Sequence, residues 1–325
     1  MGSAPGFTAR SRQARLLGTV QHPERYREVL VPSGGVPIAL SVWEPPAGAA
    51  PVRGAVVFVP GTAVHPLFYE ELLDGLSSAG WAVVGVHLEG HGKSPRVHRT
   101  MRLARAVQNV RDAVAWAHAH GLGPLVLMGS SQGSLLALLA CTDDPCAPAD
   151  GAVVGVLAHN VVEPHGADGV RITRFAPLAS LHRPIRAAIS AAARVAPDLP
   201  VPIVAYLDPR RVFTTAGTTA QFMLDPLCLR SYPLRFLADL VDADTAALHD
   251  GRLRVPVTVV TASGDRLFPL AATREAAAAL RAPTVRVVVL DAACHLVLNE
   301  ALDVAGPAVL DALVELVAAP REDVR

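Results

Sequence analysis

The sequence predicts an α/β fold: a mostly parallel, eight-stranded sheet flanked by helices, with a mostly helical segment inserted late in the chain. Three observations predict it. Eight short runs rich in Val, Ile and Leu recur along the chain, and the later ones alternate with stretches of helical periodicity. The last six runs are near-continuously apolar, the pattern of strands covered on both faces. From about residue 162 to 251 the alternation stops, and a connection that long cannot be a plain loop in a compact domain.

Residues 1–25 read as a flexible leader. The runs at 27–31 and 38–43 alternate apolar with polar and fit an antiparallel edge hairpin turning at Ser33-Gly34-Gly35. The runs at 55–59, 82–86, 125–128, 152–157, 257–261 and 285–290 read as the parallel strands. Helical patterns fall between or after them at 67–79, 103–118, 134–140, 271–280 and 305–317. The links are short and carry Gly or Pro, as right-handed crossovers require. The α/β core therefore spans 26–161 and 252–320. The insertion at 162–251 has recurrent prolines from Pro164 to Pro233 with Phe175, Phe213, Phe222, Met223, Tyr232 and Phe236 between them. It reads as a helical lid, its aromatics forming either a small core of their own or the wall of an apolar pocket.

Composition narrows the function classes. Of 325 residues 51% are hydrophobic, and 29 basic side chains balance 29 acidic ones, so no net field draws in nucleic acid or an anionic membrane. No stretch approaches the roughly 18 unbroken apolar residues of a membrane span, so no stable membrane insertion is expected. Arg10, Arg12 and Arg15 are not followed by an apolar segment of signal-peptide type, and a cytoplasmic location follows by default. Cys141, Cys146, Cys228 and Cys294 form no C-x-x-C pair and have no histidine at zinc-ligand spacing. Reduced thiols are expected, with a Cys141–Cys146 disulfide the alternative.

The chemistry is carried by Gly129-Ser130-Ser131-Gln132-Gly133, a G-x-S-x-G pentapeptide between the strand run at 125–128 and a helical run. A serine hydroxyl becomes a useful nucleophile when a sharp strand-to-helix turn holds it away from the backbone, and glycines are needed where side chains would collide. Ser131 is thus the expected nucleophile. Its base should lie downstream, and of His159, His165, His182, His249 and His295 only His295 follows the final strand in a short loop before the last helix. Asp265 stands at the end of the penultimate strand, facing the crevice where such sheets bind ligands, and is the expected acid. Asp291 and Glu163 are the alternatives. The oxyanion hole should combine the Gln132 N–H with one from Pro60-Gly61-Thr62-Ala63, where Thr62 N–H is the second donor.

On these residues the sequence resembles the α/β-hydrolase superfamily, in particular its monoacylglycerol-lipase-like and serine-aminopeptidase-like group. Residues 86–94, containing Glu89-Gly90-His91-Gly92-Lys93-Ser94, resemble that group's D-x-x-G-H-G-x-S loop, with Glu89 read in place of Asp and His91 as a structural histidine. The resemblance covers roughly residues 29–317 apart from the lid. Where the family carries His-Gly in the oxyanion loop, this chain has Pro60-Gly61. It implies an α/β-hydrolase fold and a serine hydrolase acting without metal or organic cofactor on a small-molecule ester or thioester with a hydrophobic acyl part. Acyl transfer or macrocycle release from a carrier-bound thioester, and a scaffold that binds a small ligand or works by non-hydrolytic chemistry, are the rival readings. Arg210-Arg211 in the lid would be either a solvated pair or a clamp for an anionic group on the substrate.

Overall fold

Eight strands form one sheet: β1 (Tyr26–Val31), β2 (Ile38–Trp43), β3 (Ala55–Val59), β4 (Ala82–His87), β5 (Leu125–Ser130), β6 (Val153–His159), β7 (Val257–Ala262) and β8 (Val285–Leu290). Their spatial order is β1-β2-β4-β3-β5-β6-β7-β8. β2 pairs antiparallel with β1 and with β4, and every other pairing is parallel. This is the α/β-hydrolase fold that the sequence predicts. The computed structural model describes residues 7, 15, 19–48, 53–142, 152–161 and 163–319.

The all-apolar runs fold as central strands because helices cover both faces. Every residue of β3, β4, β5 and β7 is buried. One expectation fails here. β8 was expected to be covered on both faces, yet it is only partly buried, with Arg286 and Val289 exposed. It pairs with β7 alone and forms the sheet's edge, so its valines report β propensity rather than two-sided burial.

The helices follow from spacing. In α2 (Leu103–Ala119) the buried side chains include Leu103, Ala106, Val107, Val110, Ala113, Val114 and Ala117, recurring every three or four residues on one stripe. α3 (Gln132–Ala140) runs beside it. On other parts of the sheet lie α1 (Glu70–Ser78) and the C-terminal α8 (Leu302–Ala318), which contact each other. The Phe7 ring lies against both, since a Cβ added at Gly75 or Gly306 would stand 2.3 or 2.2 Å from it. Arg15 Nε donates to Glu71 at 2.6 Å, and the Gln21 N–H donates to Glu70 at 2.7 Å. Glycine at 75 and 306 thus gives the leader's aromatic residue a seat.

Between β6 and β7 the chain forms α4 (His182–Val195), α5 (Ala216–Leu224), α6 (Leu234–Val241), several single turns, and a two-stranded ribbon of Pro200–Pro202 with Ser231–Pro233. α7 (Leu270–Ala279) then packs beside β7 and β8. Phe213, Phe222, Tyr232 and Phe236 of the insertion are buried, whereas Phe175 and Met223 are exposed. Cys141, Cys228 and Cys294 are free thiols; Cys146 lies outside the described residues.

Three buried imidazoles are kept from ionising. Burial holds His87 well below its ordinary value of 6.5, and pushes His91 down to about 4 and His159 to about 3. Each protonates near its ordinary value in the unfolded chain, so the unfolded state binds more protons between about pH 6.5 and these lower limits. Stability therefore falls as pH drops through that window, at up to about 1.4 kcal/mol per pH unit for each group. Thermal melts should show a Tm several degrees lower at pH 5 than at pH 7. A Tm independent of pH over that interval would contradict burial of these rings in the neutral form.

Candidate active site

The β5–α3 turn places Ser131 between a buried strand and a helix start, with φ 54° and ψ −119°. This left-handed conformation costs a non-glycine residue about 1–3 kcal/mol unless its surroundings impose it. They do. Ser131 N–H donates to the His159 carbonyl at 2.9 Å, and Ser134 Oγ lies 2.9 Å from the carbonyls of both Gly129 and His159. A Cβ on Gly129 would stand 2.4 Å from Gly133 O, and one on Gly133 only 2.2 Å from Val59 O. The two glycines of the pentapeptide are where the turn touches its own backbone and that of β3.

Beside Ser131 stand the two other expected residues. His295 Nε2 lies 3.2 Å from Ser131 Oγ, and His295 Nδ1 lies 2.9 Å from Asp265 Oδ2. His295 and Asp265 are 1% and 6% exposed, so their interaction is shielded from water. Asp265 Oδ1 also accepts the N–H groups of Leu267 and Phe268, at 2.7 and 2.9 Å. Burial alone would raise this carboxyl, but the hydrogen bond and charge of His295 and the Phe268 N–H hold it below its ordinary value. With Nδ1–H donating to Asp265, the His295 Nε2 lone pair faces the serine hydroxyl. Phe268 stacks on the His295 ring at 4.9 Å between centroids and fixes its plane. The alternative acids point elsewhere. Glu163 accepts from Thr245 and pairs with His249 at 2.7 Å, while Asp291 is exposed beside Ser263.

Thr62 and Gln132 both border the cavity at Ser131. Among the described residues neither backbone N–H is engaged, whereas Ala63 N–H donates to Tyr232 Oη and Ser134 N–H to Ser131 O. The side chains of Thr62 and Gln132 bond each other at 3.0 Å. Gly61 is pressed between Ser130 O and Tyr69 Oη, each 3.2 Å from where a Cβ would be. The Tyr69 hydroxyl bonds Ser130 Oγ at 3.1 Å and packs against Gly61, so a phenol braces this loop.

Asn160 went unmentioned in the sequence reading, and His159 and Tyr232 were named there without a part in this arrangement. Asn160, at φ 65°, donates Nδ2–H to Asp265 Oδ2 at 3.0 Å. His159 lies with its ring centroid 5.4 Å from that of His295 and bonds Ser130 Oγ through Nδ1. Both follow from the C-terminal end of β6, the edge on which such sheets gather ligand-facing groups, and that position was their only signal. Tyr232 comes from the insertion. Its hydroxyl accepts the Ala63 N–H at 3.0 Å and donates to His91 Nε2 at 2.7 Å, since His91 Nδ1–H is directed at the Glu89 carbonyl.

Two readings are corrected. Counting back from Gly90, the Asp position of D-x-x-G-H-G-x-S falls on His87, not on Glu89. The buried His87 accepts the Lys93 N–H through Nδ1 and donates from Nε2 to Ser41 Oγ at 2.9 Å, while Glu89 pairs with Arg105. Arg211 is neither a solvated residue nor an anion clamp. Its guanidinium donates to the carbonyls of Arg171, Thr173 and Arg266 at 3.1 Å each. Elsewhere, the spacing of the cysteines concealed a cluster: Cys228 sits with His65 and Asp225, one donor atom of each within 4.8 Å of the others. His65 Nε2 bonds Asp225 at 2.8 Å, and burial keeps the Cys228 thiol far above its ordinary value, unfavourable for a metal-binding thiolate.

Comparison with known proteins agrees with this architecture. The family described as "Serine aminopeptidase, S33" matches residues 50–301. A protein of Mycolicibacterium smegmatis named monoacylglycerol lipase is 26% identical over 276 residues, 82% of this chain and 89% of that protein. Among solved structures, monoacylglycerol lipase from Paleococcus ferrophilus superposes with a TM-score of 0.62 at 20% identity, over 86% of this chain and 98% of that one. A soluble variant of the Saccharomyces cerevisiae monoglyceride lipase, bound to a substrate analogue, gives 0.66 at 13% identity, over 89% and 94%. At these identities the structural likeness is one of fold.

Proposed function

This chain belongs to the serine aminopeptidase S33 family, and from that premise we propose that it is a serine hydrolase cleaving an ester or thioester with a hydrophobic acyl part. The observation that carries the reading is the run of contacts from Ser131 Oγ to His295 Nε2 (3.2 Å) and from His295 Nδ1 to Asp265 (2.9 Å). Ser131 attacks the acyl carbonyl while His295 takes its proton and Asp265 stabilises the imidazolium. The N–H groups of Thr62 and Gln132 bind the oxyanion. His295 returns the proton to the departing alcohol or thiol, then activates water to release the acyl group. No step calls for a metal or organic cofactor.

Ester chemistry accords with the name of the M. smegmatis relative, and a hydrophobic acyl part accords with the mainly apolar walls around Ser131. The insertion at 162–251 acts as the lid over these walls. No helix among the described residues is long and apolar enough to cross a membrane. A fluorophosphonate probe should label the wild-type protein and leave Ser131→Ala unlabelled. Labelling that persists in the alanine variant would remove Ser131 from the nucleophile's role.

A further inference from the structure

Two cavities meet at Ser131 and share Thr62, Ile172 and Phe268. One runs past His295 and is walled by Val64, Leu207, Phe213, Phe222, Leu267 and Leu296. The other runs past Gln132 along α3 and is walled by Leu135, Leu138, Val161, Leu240 and Leu248. A carbonyl carbon held at Ser131 Oγ extends its acyl group into one and its alcohol group into the other, whichever way round they lie. Both arms are mainly apolar.

The polar side chains in these walls are few, and most are already engaged. Thr62 Oγ1 donates to Gln132 Oε1 at 3.0 Å, which leaves the Gln132 amide N–H groups as the side-chain donors of these walls. The Tyr69 hydroxyl bonds Ser130 Oγ, Asn160 Nδ2–H bonds Asp265, and the Glu163 carboxylate is held by Thr245 and His249. Asn160 Oδ1 has no partner, but that atom is itself buried. A third cavity, also bordered by Thr62 and Gln132, passes beneath the insertion to His182 and Arg186, which bond the Ala179 carbonyl and Asp242. A polyol bound at either arm would thus exchange most of its hydrogen bonds with water for contacts with carbon. A hydrophobic pocket discriminates against one added hydroxyl by as much as about 10²-fold.

From this we infer that the substrate ester is apolar on both sides of its carboxyl: a lipophilic acid joined to a lipophilic alcohol, and not a glycerol or sugar ester. The inference rests on the serine-hydrolase reading and narrows it. The test uses two hexanoates that differ only in two hydroxyls, propyl hexanoate and 1-monohexanoylglycerol, both below their micellar concentrations with the full chain. The expected kcat/KM is at least about ten-fold higher for the propyl ester. Glycerol is the better leaving group, so intrinsic reactivity works against that outcome. Equal rates, or preference for the glyceryl ester, overturn the inference and leave the serine-hydrolase reading intact. Failure of fluorophosphonate labelling at Ser131 overturns the reading itself. If Ser131 is labelled but neither ester turns over, the same comparison is made with hexylphosphonofluoridates carrying a propyl or a glyceryl group. Faster inactivation by the propyl reagent supports the inference, and equal or slower inactivation overturns it.

Discussion

His295→Ala lowers kcat/KM for a short-chain ester by about 10⁴-fold or more, with cooperative unfolding retained. The size of the loss follows from how much passes through this ring. Its Nε2 faces Ser131 Oγ at 3.2 Å and its Nδ1 faces Asp265 at 2.9 Å, so its removal leaves the hydroxyl without a base and the carboxylate without its main partner. Nor can the neighbouring imidazole substitute: His159 Nδ1 is directed at Ser130, and burial keeps the ring a weak base, at about 3. The residual rate should match that of Ser131→Ala, because residues that act as one unit do not lose activity additively. Steady-state kinetics on both variants checks this. A rate for His295→Ala within ten-fold of wild type would show that another group takes the serine proton.

The second large effect is structural. Gly133→Val should give no folded, soluble protein, or one destabilised by more than about 4 kcal/mol. The Cβ it introduces would lie 2.2 Å from Val59 O and 2.6 Å from Pro60 O. Both obstacles are main chain, so no rotamer relieves them, and moving β3 shifts the loop that carries Thr62. Gly217→Ala in α5 is the control. Its new methyl meets only Thr215 Oγ1 at 3.8 Å, and alanine favours the helix. Soluble yield and thermal melts distinguish the two. A Gly133→Val protein with wild-type Tm would mean that the turn does not pack as described.

What was legible in the sequence was what is local. Gly129 to Gly133 encode their turn within five residues, and Asp265 and His295 each follow a strand whose apolar run marks where it ends. The strands were found to within a few residues because side chains of the central ones are buried on both faces. The rest depends on contacts between distant segments. Asn160 and His159 matter because β6 lies beside β5 and β7. Tyr69 braces the Gly61 loop across a fold of the chain, and Tyr232 reaches it from 169 residues away at Ala63. No periodicity marks such residues. The apolar composition of β8 conceals its place at the edge, because valine favours a strand whether one face or two are covered. His87 shows another limit: a pattern can be matched through its glycines while its variable position is assigned two residues away.

Tyr232 also bears on how this molecule can change over evolution. Its single hydroxyl ties the insertion to the Ala63 main chain, next to the proposed oxyanion donor Thr62, and to His91. The insertion is therefore not a detachable module that can be exchanged for a relative's to alter what the enzyme accepts. A graft that omits this phenol exchanges specificity and removes a support of the reaction centre at once, so new substrate ranges are reached more readily by substitutions along the cavity walls than by wholesale replacement of the cover.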